Sequence, residues 1–364
     1  MSNPLQDLQQ LGQSVWYDNI ARGLIVSGSL KELIDLGVSG LTSNPTIFEK
    51  AIAGGADYDD ALSGLAAEGR TAEEIFEALT IEDIRAAADL LRPAYDRADG
   101  ADGYASLEVS PHLAHDTEGT LAEARRLFTA LDRPNVMIKV PGTPEGVPAM
   151  RQLISEGINI NNTLIFSLEA YRSVRSGYID GLREFARAGG DVGRVASVAS
   201  FFVSRVDTVV DGKLDAEAHA DLVGKAAIAN AKVAYADFRK DFDGESFEDL
   251  RDRGARVQRP LWASTSTKNP DNPDVYYAEA LVGPDTVDTM PETTLRAFAD
   301  HGKASLTLER GLDDARKTLE SLSEAGVDMD EVTANLLADG VKQFADSYNA
   351  ALANVEEKRA ALRA

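Results

Sequence analysis

The run VMIKVPGTPEG, residues 136–146, sets a lysine, Lys139, among Val136, Met137, Ile138 and Val140 and then stops at Pro-Gly. Short and apolar, it reads as a buried strand. An ammonium without a partner is costly in such a place, and a buried lysine tends to answer by giving up its proton, which makes it a nucleophile. Two readings of Lys139 stay open on this stretch alone: an imine-forming amine, or an ordinary lysine on the wet face of a half-buried strand.

Seven similar runs flank it. They are SVWYDN (14–19), VSGLTSN (38–44), YASLEVS (104–110), INNTLIF (160–166), VASVASF (195–201), PLWAST (260–265) and DTVDTMP (285–291), and amphipathic stretches lie between them. Strands alternating with helices imply a parallel sheet. Eight strands over 364 residues fit one (β/α)8 TIM barrel, a fold that spans roughly 200 to over 400 residues. No linker divides the chain, so residues 1–364 are expected to form a single domain. Extra helices are expected over 71–98 and in the C-terminal stretch beyond 305. Three Ser/Thr-x-x-Glu pairs, Ser29 with Glu32, Thr71 with Glu74 and Thr120 with Glu123, match the capping box at a helix start. The polar piece 239–259 reads as an exposed insertion.

Composition sets the broad class. Hydrophobic residues make up 44% and charged residues 27%, as in a globular protein. A formal net charge of −23 repels nucleic acid and anionic membranes. The absence of cysteine removes disulfides, thiolate metal sites and thiol catalysis. With no leader-like start and no apolar run of membrane-spanning length, the chain is expected to be cytoplasmic. A homo-oligomer is compatible with all of this.

In such a barrel the chemistry sits at the C-terminal ends of the strands. Polar residues there are Asp18, Asn44, Glu108, Lys139, Asn161, Thr163, Ser200 and Ser264. Two carboxylates and hydroxyls around a lysine make an acid/base set about a nucleophile. Each also has a structural reading: Asp18 as a helix N-cap, Asn44 before Pro45 as a turn, Glu108 as the wet side of an edge strand. His112 and His115 lie near Glu108, but their spacing lacks the pattern of a zinc motif and reads as a loop pair.

The segments WYDNI, GLTSNPTIFEKAI, SLEVSP, MIKVPGTPEG, GININNTLIFSLEAY, VASFFVSRVD and LWASTSTKNP, in this order, resemble the transaldolases, Schiff-base enzymes of the pentose phosphate pathway. The resemblance implies that Lys139 forms the imine with the C2 carbonyl of a ketose phosphate. It makes Asp18 the acid/base at the C4 hydroxyl and has Glu108 and Thr163 hold the water used in proton transfer. Asn44 and Asn161 are implied to bind substrate hydroxyls, Ser200 to touch substrate, and Arg205 to bind phosphate. Where many relatives carry a second arginine after strand seven, this chain reads ASTSTKNP, leaving Lys268, with Ser264 and Thr267, as the replacement. Lysine meets phosphate as a point charge instead of a fork. The partners implied are sugar phosphates, and no metal or organic cofactor is called for. The competing readings are a fructose 6-phosphate aldolase, which usually carries glutamine in place of Glu108, a pyridoxal phosphate enzyme, and a non-catalytic sugar-phosphate-binding barrel.

Overall fold

The computed structural model describes residues 3–215 and 217–361. Among these, eight strands form a closed, all-parallel barrel in sequence order: β1 Gln13–Tyr17, β2 Gly40–Thr42, β3 Ala105–Glu108, β4 Val136–Pro141, β5 Ile160–Ile165, β6 Ser197–Phe202, β7 Gln258–Ala263 and β8 Thr286–Met290. Each falls on one of the expected runs. Nearly every strand residue is buried, because the barrel interior covers one face of each strand and the surrounding helices cover the other. Closure pairs β1 with β8, Val15 opposite Asp288 and Trp16 opposite Thr289. Residue 40 must be glycine for β1 and β2 to pack, since a Cβ there would lie 2.5 Å from the Trp16 indole nitrogen.

Helix starts follow local chemistry less closely than the Ser/Thr-x-x-Glu pattern suggests. Thr71 and Glu74 do form a reciprocal capping box at the head of Ala72–Arg97. Ser29 does not cap: the helix Ser29–Leu36 begins from Gly28, whose left-handed backbone (φ 85°) a glycine adopts without strain. Thr120 lies inside the helix Thr117–Leu131, which Asp116 caps through the Gly119 N–H, while Glu123 accepts instead from the Ser110 N–H at 2.8 Å.

The segment 239–259 is no exposed insertion. It is the end of the helix Ala226–Asp243, a short turn and the start of β7, and it buries Phe242, Phe247 and Leu250. Its charges ride on the outward faces of turns whose aromatic residues anchor them; Phe242 and Phe247 meet edge to face, ring centroids 4.9 Å apart.

The C-terminal stretch forms Leu312–Glu324 and then Met329–Ala361, 33 residues long. The latter packs against Pro45–Ala53 and Ala72–Arg97 and reaches β5. Gly340 makes that approach possible, because a Cβ there would come 2.9 Å from the Leu164 side chain. Among the described residues, no helix is long and apolar enough to cross a membrane.

Candidate active site

Lys139 lies two residues before the end of β4, paired in register with Glu108 on β3 and Asn161 on β5. Residues paired across parallel strands face the same side, so these three side chains point together into the mouth. The Lys139 side chain is only 5% exposed and that of Glu108 3%, which removes both wet-face readings. The Lys139 Nζ donates to the Ser43 carbonyl at 2.8 Å and lies 3.2 Å from Glu108 Oε2. Beyond that ammonium, neither Glu108 oxygen has a hydrogen-bond partner among the described residues. Burial pushes the Glu108 carboxyl above its ordinary pKa, with Lys139 acting against the rise.

Asp18, one residue past β1, does not cap a helix, since the following helix, Arg22–Val26, starts from Ala21. Its carboxylate accepts from the Thr42 hydroxyl at 3.0 Å. Burial raises its pKa too, opposed by the charge of Lys139 first, then by Thr42, Arg205 and Lys268. Asn44 has a structural task as well: its side-chain oxygen caps Pro45–Ala53 through the Ile47 N–H at 3.0 Å, leaving the NH2 as the group able to meet a substrate hydroxyl.

On β5 and β6, Asn161 donates to Ser106 Oγ at 3.2 Å and accepts from Ser200 Oγ at 2.7 Å. These bonds fix which way the amide faces. The Thr163 hydroxyl is buried without a partner among the described residues. The β5–β6 register slips between Asn162 and Ile165, and Leu164 takes a left-handed backbone (φ 58°), the kind of local irregularity that re-aims side chains beside functional sites.

Arg205 sits in the first turn of the helix Ser204–Lys213. Its guanidinium lies over the Phe202 ring at 5.4 Å and donates to Gln343 Oε1 at 3.1 Å. Burial lowers its pKa, while Asp18 acts in the opposite sense. Ser264 follows β7 with a left-handed backbone (φ 58°), its hydroxyl 2.9 Å from that of Ser204, so the loops after β6 and β7 are tied together. Lys268 is exposed and bonded to Ser266 Oγ at 2.7 Å, whereas Thr267 is turned into its own loop, onto the Pro273 carbonyl. Ser264 thus lies beside Ser204, the neighbour of Arg205, and Arg205 and Lys268 both act on the Asp18 carboxyl, whereas the Thr267 hydroxyl is taken up within its own loop.

The histidine pair is split. His112 meets Asn349 at 2.9 Å and His115 meets Glu145 at 3.1 Å, while Glu108 faces Lys139.

Three residues about the mouth escape a reading of the sequence. Gln343 and Phe344 come from the C-terminal helix, the Phe344 ring centroid lying 6.0 Å from Lys139 Nζ. The third, Asp288, is fully buried on β8. It accepts from the Thr265 hydroxyl at 2.8 Å, which pins the strand-seven loop, and its other oxygen has no partner among the described residues. Burial pushes its pKa up to about 7, with Thr265 lowering it and Asp18 adding to the rise.

A carboxyl whose folded pKa exceeds its unfolded value of 3.8 supports the native state fully below that value and loses the support as pH rises towards 7. Asp288→Asn keeps the acceptor for Thr265 and cannot ionise. It should therefore stabilise the protein by a few kcal/mol at pH 8, since each pH unit separating the folded and unfolded values contributes roughly 1.4 kcal/mol, and by nothing below pH 4. Denaturant melts of both proteins across that range test this; a variant less stable than the parent at pH 8 contradicts it.

The family model described as Transaldolase/Fructose-6-phosphate aldolase matches residues 15–355 of the chain. Proteins named transaldolase are similar over nearly their whole length. That of Parafrankia sp. (strain EAN1pec) is 50% identical over 366 residues, 98% of each chain. That of Thermobifida fusca (strain YX) is 49% identical over 366 residues, covering 99% of this chain and 100% of the relative. For Thiobacillus denitrificans (strain ATCC 25259 / T1) the figure is 48% over 357 residues, with 97% and 99% covered.

Proposed function

The chain belongs to the transaldolase/fructose-6-phosphate aldolase family, and on that premise we propose that it moves a dihydroxyacetone unit between sugar phosphates through an imine on Lys139. The donor is sedoheptulose 7-phosphate or fructose 6-phosphate, and the acceptor is glyceraldehyde 3-phosphate or erythrose 4-phosphate. The observation that carries this reading is the buried Lys139 amine 3.2 Å from Glu108, in a mouth that also holds Asp18.

The chemistry follows from those neighbours. Glu108 is placed to take a proton from Lys139, freeing the amine to attack the C2 carbonyl. The resulting carbinolamine loses its hydroxyl as water, using a proton returned by Glu108 through a water that the partnerless Thr163 hydroxyl can help hold. Asp18 then removes the C4 hydroxyl proton. The C3–C4 bond breaks, its electron pair flows to the iminium, and the aldose phosphate leaves. With the acceptor in place the steps reverse: the enamine attacks the aldehyde and Asp18 returns its proton to the new hydroxyl. Asn161, held by Ser106 and Ser200, supplies fixed polar atoms beside the three-carbon unit.

Every nucleophile, acid and base in this scheme is a protein side chain, so turnover is expected to persist in a strong chelator. Loss of activity on chelation with recovery on adding zinc would overturn the metal-free mechanism.

Phosphate would be met by Arg205, with Lys268 as a point charge and Ser264 as a hydroxyl donor. Gln343 already presents an oxygen to Arg205, which orients the fork and leaves the Gln343 NH2 as a further donor. A hydrogen bond to a charged group contributes about 1.5–3 kcal/mol. Arg205→Ala should therefore raise KM for fructose 6-phosphate by roughly tenfold to a hundredfold, with a smaller change in kcat. Steady-state kinetics settle the point, and an unchanged KM would remove Arg205 from the phosphate site.

A further inference from the structure

Beside the C-terminal end of β3 lies a small cavity of about 40 Å³, lined by Ser43, Glu77, Glu108, Ser110, Glu123 and Tyr348 among apolar side chains that include Phe48 and Phe76. One water needs about 10–15 Å³ on this measure, and a site holds water only where polar groups line it. Both conditions are met. Three acidic residues line the same space, of which Glu77 is held in an ion pair with Arg126. Another is Glu108, whose two buried oxygens meet no hydrogen-bond donor among the described residues beyond the Lys139 ammonium. The third is Glu123, on the helix Thr117–Leu131, whose Oε1 accepts from the Ser110 N–H and whose side chain reaches partly to the surface.

We propose that Glu123 exchanges protons with Glu108 through water in this cavity, giving the buried carboxyl a route to solvent that stays open while a sugar phosphate fills the barrel mouth. The inference rests on the imine reading of Lys139. In one direction the O–H of protonated Glu108 breaks, its proton passes to a cavity water, and that water gives one of its own protons to the Glu123 carboxylate; the reverse reloads Glu108. No proton is gained or lost overall. The cavity also offers a seat for the water released when the imine forms.

The surroundings of Glu123 suit a group that carries a proton briefly. Burial raises its pKa, the Ser110 N–H and Arg126 lower it, and Glu77 and Glu73 raise it again. The Tyr348 ring, on the C-terminal helix, stacks edge to face on Phe76 with centroids 5.4 Å apart and closes the cavity on that side. On the Glu108 side the charged neighbour is Lys139.

A purely structural Glu123 would serve only to hold the Ser110 N–H. Glutamine does that equally well, so Glu123→Gln separates the two roles. The first measurement is borohydride trapping of the intact protein with fructose 6-phosphate. An adduct on Lys139 in the parent confirms the imine independently of Glu123, and its absence would fault the reading of Lys139 itself. Given the adduct, Glu123→Gln is expected to trap to the same extent at equilibrium, to lose about tenfold in kcat, and to show a larger solvent deuterium isotope effect on kcat, because proton delivery to Glu108 becomes limiting. Thr80→Met, which puts a longer apolar side chain at the cavity wall and leaves both carboxylates of the relay in the sequence, should give the same two changes. Parental kcat and isotope effect in Glu123→Gln would overturn the relay, and so would an effect seen only in Glu123→Ala, where the Ser110 bond is lost.

Discussion

Replacing Lys139 with methionine is expected to reduce turnover by about 10⁴-fold or more, the scale lost when an essential nucleophile is removed. The effect on stability is less obvious. From the sequence alone, an uncharged side chain of similar length removes a desolvation cost and should stabilise the barrel. The geometry reverses that expectation, because Lys139 is the charge that lies 3.2 Å from a Glu108 side chain only 3% exposed. Removing one partner of a buried pair leaves the other uncompensated, at about 3–5 kcal/mol, unless it takes up a proton. In Lys139→Met the Glu108 pKa, already raised by burial, loses the influence that opposes the rise. Such a group supports the fold below its unfolded pKa and costs stability as pH climbs towards the folded one. The variant should match the parent near pH 4 and melt well below it at pH 8. Adding Glu108→Gln should restore most of the loss. Melting curves of the single and double variants at both pH values check this, and a single variant as stable as the parent at pH 8 would show that Glu108 is not held by Lys139.

Asp18→Asn should lower kcat by roughly 10²–10⁴-fold, the usual contribution of a positioned acid/base. Asparagine keeps an oxygen for the Thr42 hydroxyl, so the loop after β1 should hold its shape. The proposed role lies after imine formation, which gives the variant a distinctive signature. With fructose 6-phosphate, borohydride should trap the whole six-carbon sugar phosphate on Lys139, whereas the parent should trap the three-carbon remnant as well. Because burial raises the Asp18 pKa and the base must be ionised to start cleavage, parental activity should fall with acidification from above the ordinary carboxylate range. A three-carbon adduct at parental rates in Asp18→Asn would move the acid/base role to another group.

The barrel was legible because its signal is local and repeated: each strand is a short apolar run bounded by turn residues, and all eight strands form where such runs stand. Lys139 stood out by the same physics, as a charge within such a run. That test, applied once more, would have found Asp288 in DTVDTMP, which sits between Val287 and Thr289 on the last strand. Gln343 and Phe344 had no comparable mark. They lie on a 33-residue helix far along the chain from Lys139, which packs on β5 where Gly340 allows a close approach to Leu164. The failures at Ser29 and Thr120 share a cause. A Ser/Thr-x-x-Glu spacing recurs by chance, and the hydroxyl caps only if its own backbone is extended at the helix start, as that of Thr71 is. The segment 239–259 misled through composition, since its many charges hide Phe242, Phe247 and Leu250, which the fold turns inward.

The central claim is that the buried amine of Lys139 is the covalent nucleophile. Incubation of the intact protein with fructose 6-phosphate and borohydride, followed by proteolysis and mass mapping, tests it in one step. The expected result is a reduced sugar adduct on the peptide that carries Lys139 and on no other lysine, absent when either reagent is omitted. An adduct on a different lysine, or full turnover in borohydride with no adduct at all, would contradict the imine mechanism.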